Sequence, residues 1–461
     1  MSSYSPNRAN DEEASPPIRR RRGVLLRPQA FEKLLQAKLD IEFRERKGDR
    51  LTLEDMSDRT GLSVETVMKV FSASAAVDRQ TLAICFKAFG LVLEPNDYVN
   101  ALGQSVEPSA QATPDPTPSG VLAELPEGQV PLKSSFYIER PPCEEQAYRA
   151  IRQAGALVRL RAARRMGKTS LLVRILQDAE HHTIRAVRLS FRLADKAVLQ
   201  NLDRFLQWFC ASVGLGLKLP NRLETLWDPF FGSKVNCKIY FEEYLLTQLQ
   251  SPIVLGLDDV DLLFQYPEVA EDFFGLLRAW HEESKNSEIW KKLRLVVAYS
   301  TEIYIPLNIN QSPFNVGILI DLPEFTESQS KMLAQRYQLS YSATEIGQLM
   351  ALVGGHPYLV RKAFYHLWAK DLSLEELLKT AATPQGIYRE YFQSLTWSLE
   401  QNRVLKEAFE QVMQSESPTE LELVQALKLQ GLGLVHVSNG QAVCRSRLHY
   451  QYFKGNLGEV P

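Results

Sequence analysis

Three short stretches carry residues that could do chemistry together. The first is Gly167-Lys168-Thr169-Ser170, which follows a short apolar strand and a basic turn and opens an amphipathic helix. A helix start presents free N–H groups and the positive end of a dipole. Lys168 would add a point charge for phosphate oxygens, and the Thr169 hydroxyl a ligand for Mg²⁺. The second stretch is IVLGLDDVDLLF, where an apolar run ends in Asp258-Asp259. One carboxylate can hold the water shell of Mg²⁺, and its neighbour can orient or deprotonate an attacking water. Two adjacent acids after a buried strand are costly to desolvate; an acidic helix start with Asp258 as its cap is the structural alternative. The third is Ser300-Thr301, after LRLVVAY. A hydroxyl there could touch a terminal phosphate or the attacking water, or simply cap the strand.

These groups need a scaffold that brings them to one place. Beyond the strand before Lys168, four apolar runs read as strands: Ile184–Phe191, Ile253–Asp258, Leu293–Ser300 and Val316–Leu322. Helical stretches separate them, notably Val198–Val213, Lys238–Leu249 and Val269–Glu283. The alternation predicts a parallel sheet with helices on both faces. Ligands in such sheets sit at the carboxyl ends of the strands, where all three stretches lie. Upstream, a helix over Cys143–Gln153 carries Glu144 and Glu145 in its first turn, where the dipole favours them. It either covers a nucleotide base or packs on the sheet edge. Downstream, Gly354-Gly355 ends one helix and Pro357 starts the next. Arg361, one turn further, either reaches a nucleotide as a sensor or pairs with a surface acid, and His356 reads as a turn residue.

The chain has 461 residues, enough for two to four domains. Its 45% hydrophobic and 23% charged residues are those of a soluble globular protein. A formal net charge of −2 offers no global field for nucleic acid or membrane, so any such role needs a local patch. Five scattered cysteines, without a CxxC, argue against a disulfide framework or zinc site and suit a reducing cytoplasm. No apolar run has membrane-spanning length. Residues 1–23 read as a disordered basic tail ending in Arg19–Arg22, either solvated or contacting phosphates. Residues 24–103 read as an all-α bundle. One short helix is marked by Leu53 and Met56, Gly61 forms the turn, and Ser63 begins the next helix, with Val64, Val67 and Val70 partly inward. Ser63, Thr66 and Lys69 then fall on a surface that could read DNA, although Glu65 beside them would repel phosphates. A protein-docking or purely structural bundle is the alternative. Residues 104–132 are rich in Pro, Ser, Thr and Ala and read as a flexible linker. The last segment, 387–461, has helices and two short strands joined by Asn439-Gly440, a hairpin turn signal. Helices followed by a wing suggest a winged-helix fold, and its few bases, Arg445 and Arg447, favour docking over DNA contact.

The ordered set IERPPCEEQAYRAIRQAGALVRLRAARRMGKTSLLVRIL, LDDVDLLF, LRLVVAYSTEIYIP, SPFNVGILIDLPEF, GGHPYLVRKAFYHL and LHYQYF resembles the AAA-like domain family. These are P-loop ATPases found chiefly in cyanobacterial and related bacterial signalling proteins, similar to archaeal-type and STAND ATPases. The resemblance runs from about Phe136 to Leu457. It implies an α/β P-loop NTPase core with an ASCE-type parallel sheet over 133–323. A helical lid over 324–386 and a C-terminal winged helix would follow. It further implies ATP and Mg²⁺ as ligands, Lys168 and Thr169 as phosphate and Mg²⁺ contacts, Asp258 as the Mg²⁺-side carboxylate, and Pro357 near the base. Arg164, Arg165, Met166, Gly167 and Ser170 complete the expected nucleotide loop. The two arginines could also serve transition-state charge in their own subunit or a neighbour's. The N-terminal bundle resembles repressor-like helix-turn-helix domains.

Two departures from the family pattern matter. The first glycine of the Walker A loop is replaced by Ala162, and the usual glutamate after the Walker B aspartate by Asp259. A carboxylate misplaced by about 1 Å can cost on the order of 10²-fold in rate. The expectation is therefore an ATP-binding regulatory switch in the cytoplasm with weak hydrolysis, in which Asp259 and Ser300 would be the catalytic groups. The alternative is a DNA-binding regulator or adaptor whose P-loop domain serves oligomerisation without turnover. Expected partners are ATP or ADP, double-stranded DNA through residues 19–70, a partner protein or a second copy of the chain, and no membrane.

Overall fold

The computed structural model describes residues 24–46, 51–71, 77, 79–94, 97–100, 124–300, 313–415 and 417–456. The arginine run Arg19–Arg22, the linker as far as residue 123, the Glu65 side chain and Thr301 lie outside the described residues. The chain divides into two compact units, Met1–Thr117 and Pro118–Pro461.

In the first unit, helices Pro28–Arg46, Leu53–Thr60, Val64–Phe71 and Arg79–Ala88 surround a small core. Leu34, Met56, Val67, Val70, Leu82, Cys85 and Phe86 are buried in it. Thr52 caps the second helix through a reciprocal pair with Asp55, and Gly61 closes it at φ 69°, a left-handed turn that suits glycine. Two expectations need correction. Val64 is exposed rather than inward, because Val67 and Val70 already fill the buried stripe. The unit is also not wholly helical: β1 (Val24–Leu26) pairs antiparallel with β2 (Tyr98–Asn100). Strands of three residues are too short to show a period of two.

The second unit is built on a five-stranded parallel sheet. Its strands are β3 (Leu157–Arg161), β4 (Arg185–Ser190), β5 (Ile253–Asp258), β6 (Leu293–Tyr299) and β7 (Ile318–Asp321), in the order β4-β5-β6-β3-β7. All residues of β5 and β6 are buried, as expected for strands covered on both faces. The helix Lys168–His181 packs on one face. It comes so close that a Cβ on Gly256 would lie 2.9 Å from Leu176 Cδ1 and 3.0 Å from Leu172 Cδ1. The other face is an aromatic layer from helices Leu202–Gly216 and Pro267–Glu283 and the stretch Ser233–Gln248. Phe209 stacks on Phe241 at 5.5 Å and Trp280 on Trp290 at 5.1 Å. The middle of Ser233–Gln248 is π-helical, over Tyr240–Leu245.

Four helices follow: Glu327–Arg336, Ala343–Val353, Pro357–Trp368 and Leu374–Thr380. Thr326, Ser342 and Ser373 start three of them with capping boxes. The last segment holds helices Arg389–Glu400, Arg403–Gln414, Leu423–Leu432 and Arg447–Asn456 and a three-stranded antiparallel sheet. Besides β9 (Val435–Ser438) and β10 (Gln441–Cys444), that sheet contains β8 (Thr419–Glu420), a two-residue strand that sequence pattern does not reveal. Asn439 and Gly440 join β9 to β10 with both φ values positive, the requirement of a tight hairpin turn. These helices and the last segment share one hydrophobic core, with Leu349, Phe364, Phe392 and Phe453 among its members. Residues 124–132, read as linker, instead lie against the parallel-sheet core through side-chain and backbone bonds detailed below. Among the described residues, no helix is long and apolar enough to cross a membrane.

Because Gly256 sets the distance between β5 and the Lys168 helix, Gly256→Val is expected to destabilise the second unit by about 1–3 kcal/mol through overpacking. Chemical denaturation of the two proteins, compared at the midpoint, checks this.

Candidate functional site

The site lies where β3 and β5 end. β3 stops at Arg161, and the chain bends through Ala162–Gly167 before the helix begins at Lys168. Gly167 has φ 97°, which a side chain would oppose, and a Cβ there would come within 3.1 Å of Arg140 Nη2. The Lys168 ammonium sits inside the bend, donating to the Ala162 and Ala163 carbonyls at 3.0 Å each and to Ser300 Oγ at 3.3 Å. The next residue, Thr169, donates from Oγ1 to Asp258 Oδ1 at 3.2 Å. The Lys168-Thr169 pair, Asp258 and Ser300, distant from one another in sequence, are thus brought together.

Asp258 is 2% exposed. Its second oxygen accepts from Arg188 Nη2 at 2.8 Å. The neighbouring Asp259 takes a left-handed conformation, φ 56°, that turns its side chain the other way. There Ser190 Oγ donates to one carboxylate oxygen at 2.8 Å, and Arg192 Nε pairs with the other at 2.9 Å. Ser300 is held from a third acid, Asp261. The Ser300 N–H and Oγ donate to its two carboxylate oxygens at 2.8 Å each. Burial raises the Asp261 carboxyl above its ordinary range, and the Lys168 charge opposes that rise.

The remaining loop residues face other partners. Arg140, 2% exposed, donates to the Met166 carbonyl at 2.7 Å. The Arg164 N–H donates to the Gly431 carbonyl at 3.2 Å, and the Arg164 carbonyl meets His356 Nε2 at 3.2 Å. The Arg165 guanidinium lies 4.6 Å from the centre of the Tyr358 ring and 5.5 Å from that of Tyr391. Arg445, ion-paired with Glu324 at 2.6 Å, contacts Met166 Sδ at 3.4 Å. Ser170 is buried, and its Oγ accepts from the Val130 N–H at 2.9 Å. Arg174 adds bonds to the Val130 and Pro131 carbonyls at 3.0 and 2.7 Å.

Pro357 opens its helix directly after buried His356. Arg361 is 7% exposed, pairs with Glu124 at 3.2 Å, and lies 3.4 Å from the Tyr337 hydroxyl. In the first unit, Ser63 Oγ accepts from the Thr66 N–H at 3.3 Å and lies 2.8 Å from Thr66 Oγ1, so both belong to a helix start. Lys69 lies in the last turn of that helix.

Sequence reasoning missed Arg140, Arg188, Ser190, Arg192 and Asp261. A signal existed for two of them. Ser190 lies at the carboxyl end of the run Ile184–Phe191 read as a strand, and Asp261 follows the acid pair at a spacing of two.

A polar knot joins this loop to the last segment. His449 is buried, with Nε2 3.0 Å from the Tyr391 hydroxyl and Nδ1 2.8 Å from Ser446 Oγ. Burial, aided by the charge of Arg445, pushes its imidazole down to about 3. An unfolded histidine takes up its proton near pH ~6.5. Stability contributed by neutral His449 is therefore complete above that pH and lost progressively as pH falls toward the folded value. The acid limb of the stability curve is expected to gain up to about 1.4 kcal/mol per pH unit from this group. His449→Gln is expected to flatten that limb, read as urea midpoints across a pH series.

The AAA-like domain family profile matches residues 125–455. Several solved structures are similar. A Walker-type ATPase of Pyrococcus abyssi is 12% identical, with 69% of this chain and 96% of that chain covered and a TM-score of 0.48. The ORC2 protein of Aeropyrum pernix is 15% identical, with 71% and 98% covered and a TM-score of 0.42. The RuvB branch migration motor of Thermotoga maritima is 14% identical, with 70% and 96% covered and a TM-score of 0.34. No curated protein matches the chain. On the extent of the profile match, the chain belongs to the AAA-like domain family.

Proposed function

We propose that the chain is an ATP-binding regulatory switch that couples nucleotide state to its N-terminal unit. The observation that carries this reading is the Thr169–Asp258 contact of 3.2 Å, directly after the loop that encloses the Lys168 ammonium. A hydroxyl and a buried carboxylate are hard oxygen donors, the pair that Mg²⁺ takes alongside phosphate oxygens. The residues present therefore fit Mg²⁺ with a nucleotide. When bound, the metal would neutralise phosphate charge. Lys168 would hold the β- and γ-phosphates, the amides at the helix start would cradle them, and Pro357 would lie toward the base. The four helices over 327–380 would act as the lid and the last segment as a docked winged helix.

Hydrolysis at this site would be slow. Both Asp259 oxygens are engaged, by Ser190 and by Arg192, which leaves this carboxylate poorly placed to orient water. Ser300, tied to Asp261 and within reach of Lys168, is the better placed polar group for a terminal phosphate.

The effector would be the first unit, acting on double-stranded DNA through Ser63, Thr66 and Lys69 or on a partner protein. Two short helices joined through Gly61 support that reading. A second copy of the chain would be a further partner, with Arg164 and Arg165 as the loop arginines such an assembly would use.

Calorimetric titration tests the nucleotide assignment. Lys168→Ala is expected to weaken ATP binding by tenfold or more, roughly the loss of one charge-assisted contact; unchanged affinity would sink it. Steady-state turnover is expected to be slow and to fall further in Ser300→Ala than in Asp259→Asn. For the effector, a mobility shift on double-stranded DNA that weakens steeply with salt and disappears on deleting residues 1–100 is the expected result. A shift that survives the deletion would place DNA binding elsewhere.

A further inference from the structure

Arg188 is ion-paired with the Asp258 carboxylate, and the sequence pattern did not point to it. It lies on β4, two residues before Ser190, whose register partner is Asp258. Its guanidinium is two-headed. Nη2 donates to Asp258 Oδ2 at 2.8 Å, and Nη1 donates to Gln129 Oε1 at 2.6 Å. Asp258 therefore has Thr169 on one oxygen and Arg188 on the other.

The two ends of this ion pair differ in freedom. The Asp258 side chain is 3% exposed and that of Arg188 35%. A divalent ion entering beside Thr169 and Asp258 would face the guanidinium at short range, and like charges in a partly desolvated site repel strongly. The carboxylate cannot leave, whereas the arginine has water to move into and a long stem on which to move.

We propose that Arg188 is a resident counter-ion that competes with the divalent metal for Asp258 and so sets the metal concentration at which the loaded site forms. This rests on the nucleotide reading above and adds its metal regulation. Gln129 anchors the outward head of Arg188. It belongs to a stretch that is itself fastened by Val130 on Ser170, by Arg174 on Val130 and Pro131, and by Glu124 on Arg361. Losing the Gln129 bond frees Arg188 to leave Asp258 more readily.

The test is the affinity of full-length protein for a fluorescent ADP analogue, titrated from EDTA through rising Mg²⁺. Arg188→Ala is expected to lower the Mg²⁺ midpoint about tenfold, the worth of one charge-assisted pair. Gln129→Ala is expected to lower it by about two- to threefold, because a neutral bond is weaker. Arg188→Lys, which keeps the charge, is expected to stay near the wild type. Equal midpoints in wild type and Arg188→Ala, or a higher one in the variant, would overturn the inference while leaving nucleotide binding intact. If Arg188→Ala does not fold, the Gln129→Ala midpoint decides, and an unchanged value counts against the proposal. No ADP binding by the wild type at any Mg²⁺ concentration overturns the nucleotide reading, and this inference with it.

Discussion

A carboxylate buried at the end of a central strand cannot stand uncompensated, and Asp258 imposes that constraint on its surroundings. Leaving such a charge without its partner costs on the order of 3–5 kcal/mol. Each compensating contact recruits a different element. Thr169 brings the first turn of the helix after β3, and Arg188 brings β4. The Asp259 N–H, 3.2 Å from Asp258 Oδ1, belongs to the left-handed turn itself. The geometry of the sheet end thus follows largely from one negative charge in an apolar layer.

The loop on the other side of Lys168 is governed by contacts of a different kind. Its backbone and side chains are gripped by residues far along the chain: Gly431, His356, Tyr358, Tyr391 and Arg445. The holders are joined to each other. Glu324 pairs with Arg445 and accepts from the Gly355 N–H at 3.2 Å, and the Phe325 N–H donates to the Gly355 carbonyl at 2.7 Å. Gly355 is required for that approach, since a Cβ would sit 2.2 Å from the Phe325 carbonyl oxygen. A glycine pair that reads in sequence as a helix stop is, in three dimensions, a close crossing of two backbones.

The middle of the sheet was legible because β5 and β6 are buried on both faces, which leaves unbroken apolar runs ending in polar residues. Lys168, Thr169 and Asp258 were legible for the same reason, since each sits where such a run stops. Arg188 was not. It lies inside β4 among alternating polar and apolar residues, opposite Gly256 in the register, and only its side-chain path in three dimensions leads to Asp258. Asp261 was hidden behind a more conspicuous acid pair. The stretch 124–132 looks like linker because its proline-rich composition carries no periodicity, yet it is fastened by individual hydrogen bonds rather than by a packed face. Patterns report faces; single polar contacts between distant segments leave no such trace.

The strand order has a consequence for how the second unit comes into being. β3, which leads into the Lys168 loop, has no neighbour close behind it in the chain; it pairs with β6 and β7, more than a hundred residues later. The loop then waits further, for Gly431 and Arg445. On a ribosome, the Lys168 loop emerges early and stays without its partners until nearly the whole unit has been made. Such non-local pairing folds slowly and keeps apolar strands exposed in the meantime. The Lys168 loop is therefore among the first parts of this unit to be synthesised and among the last to be completed.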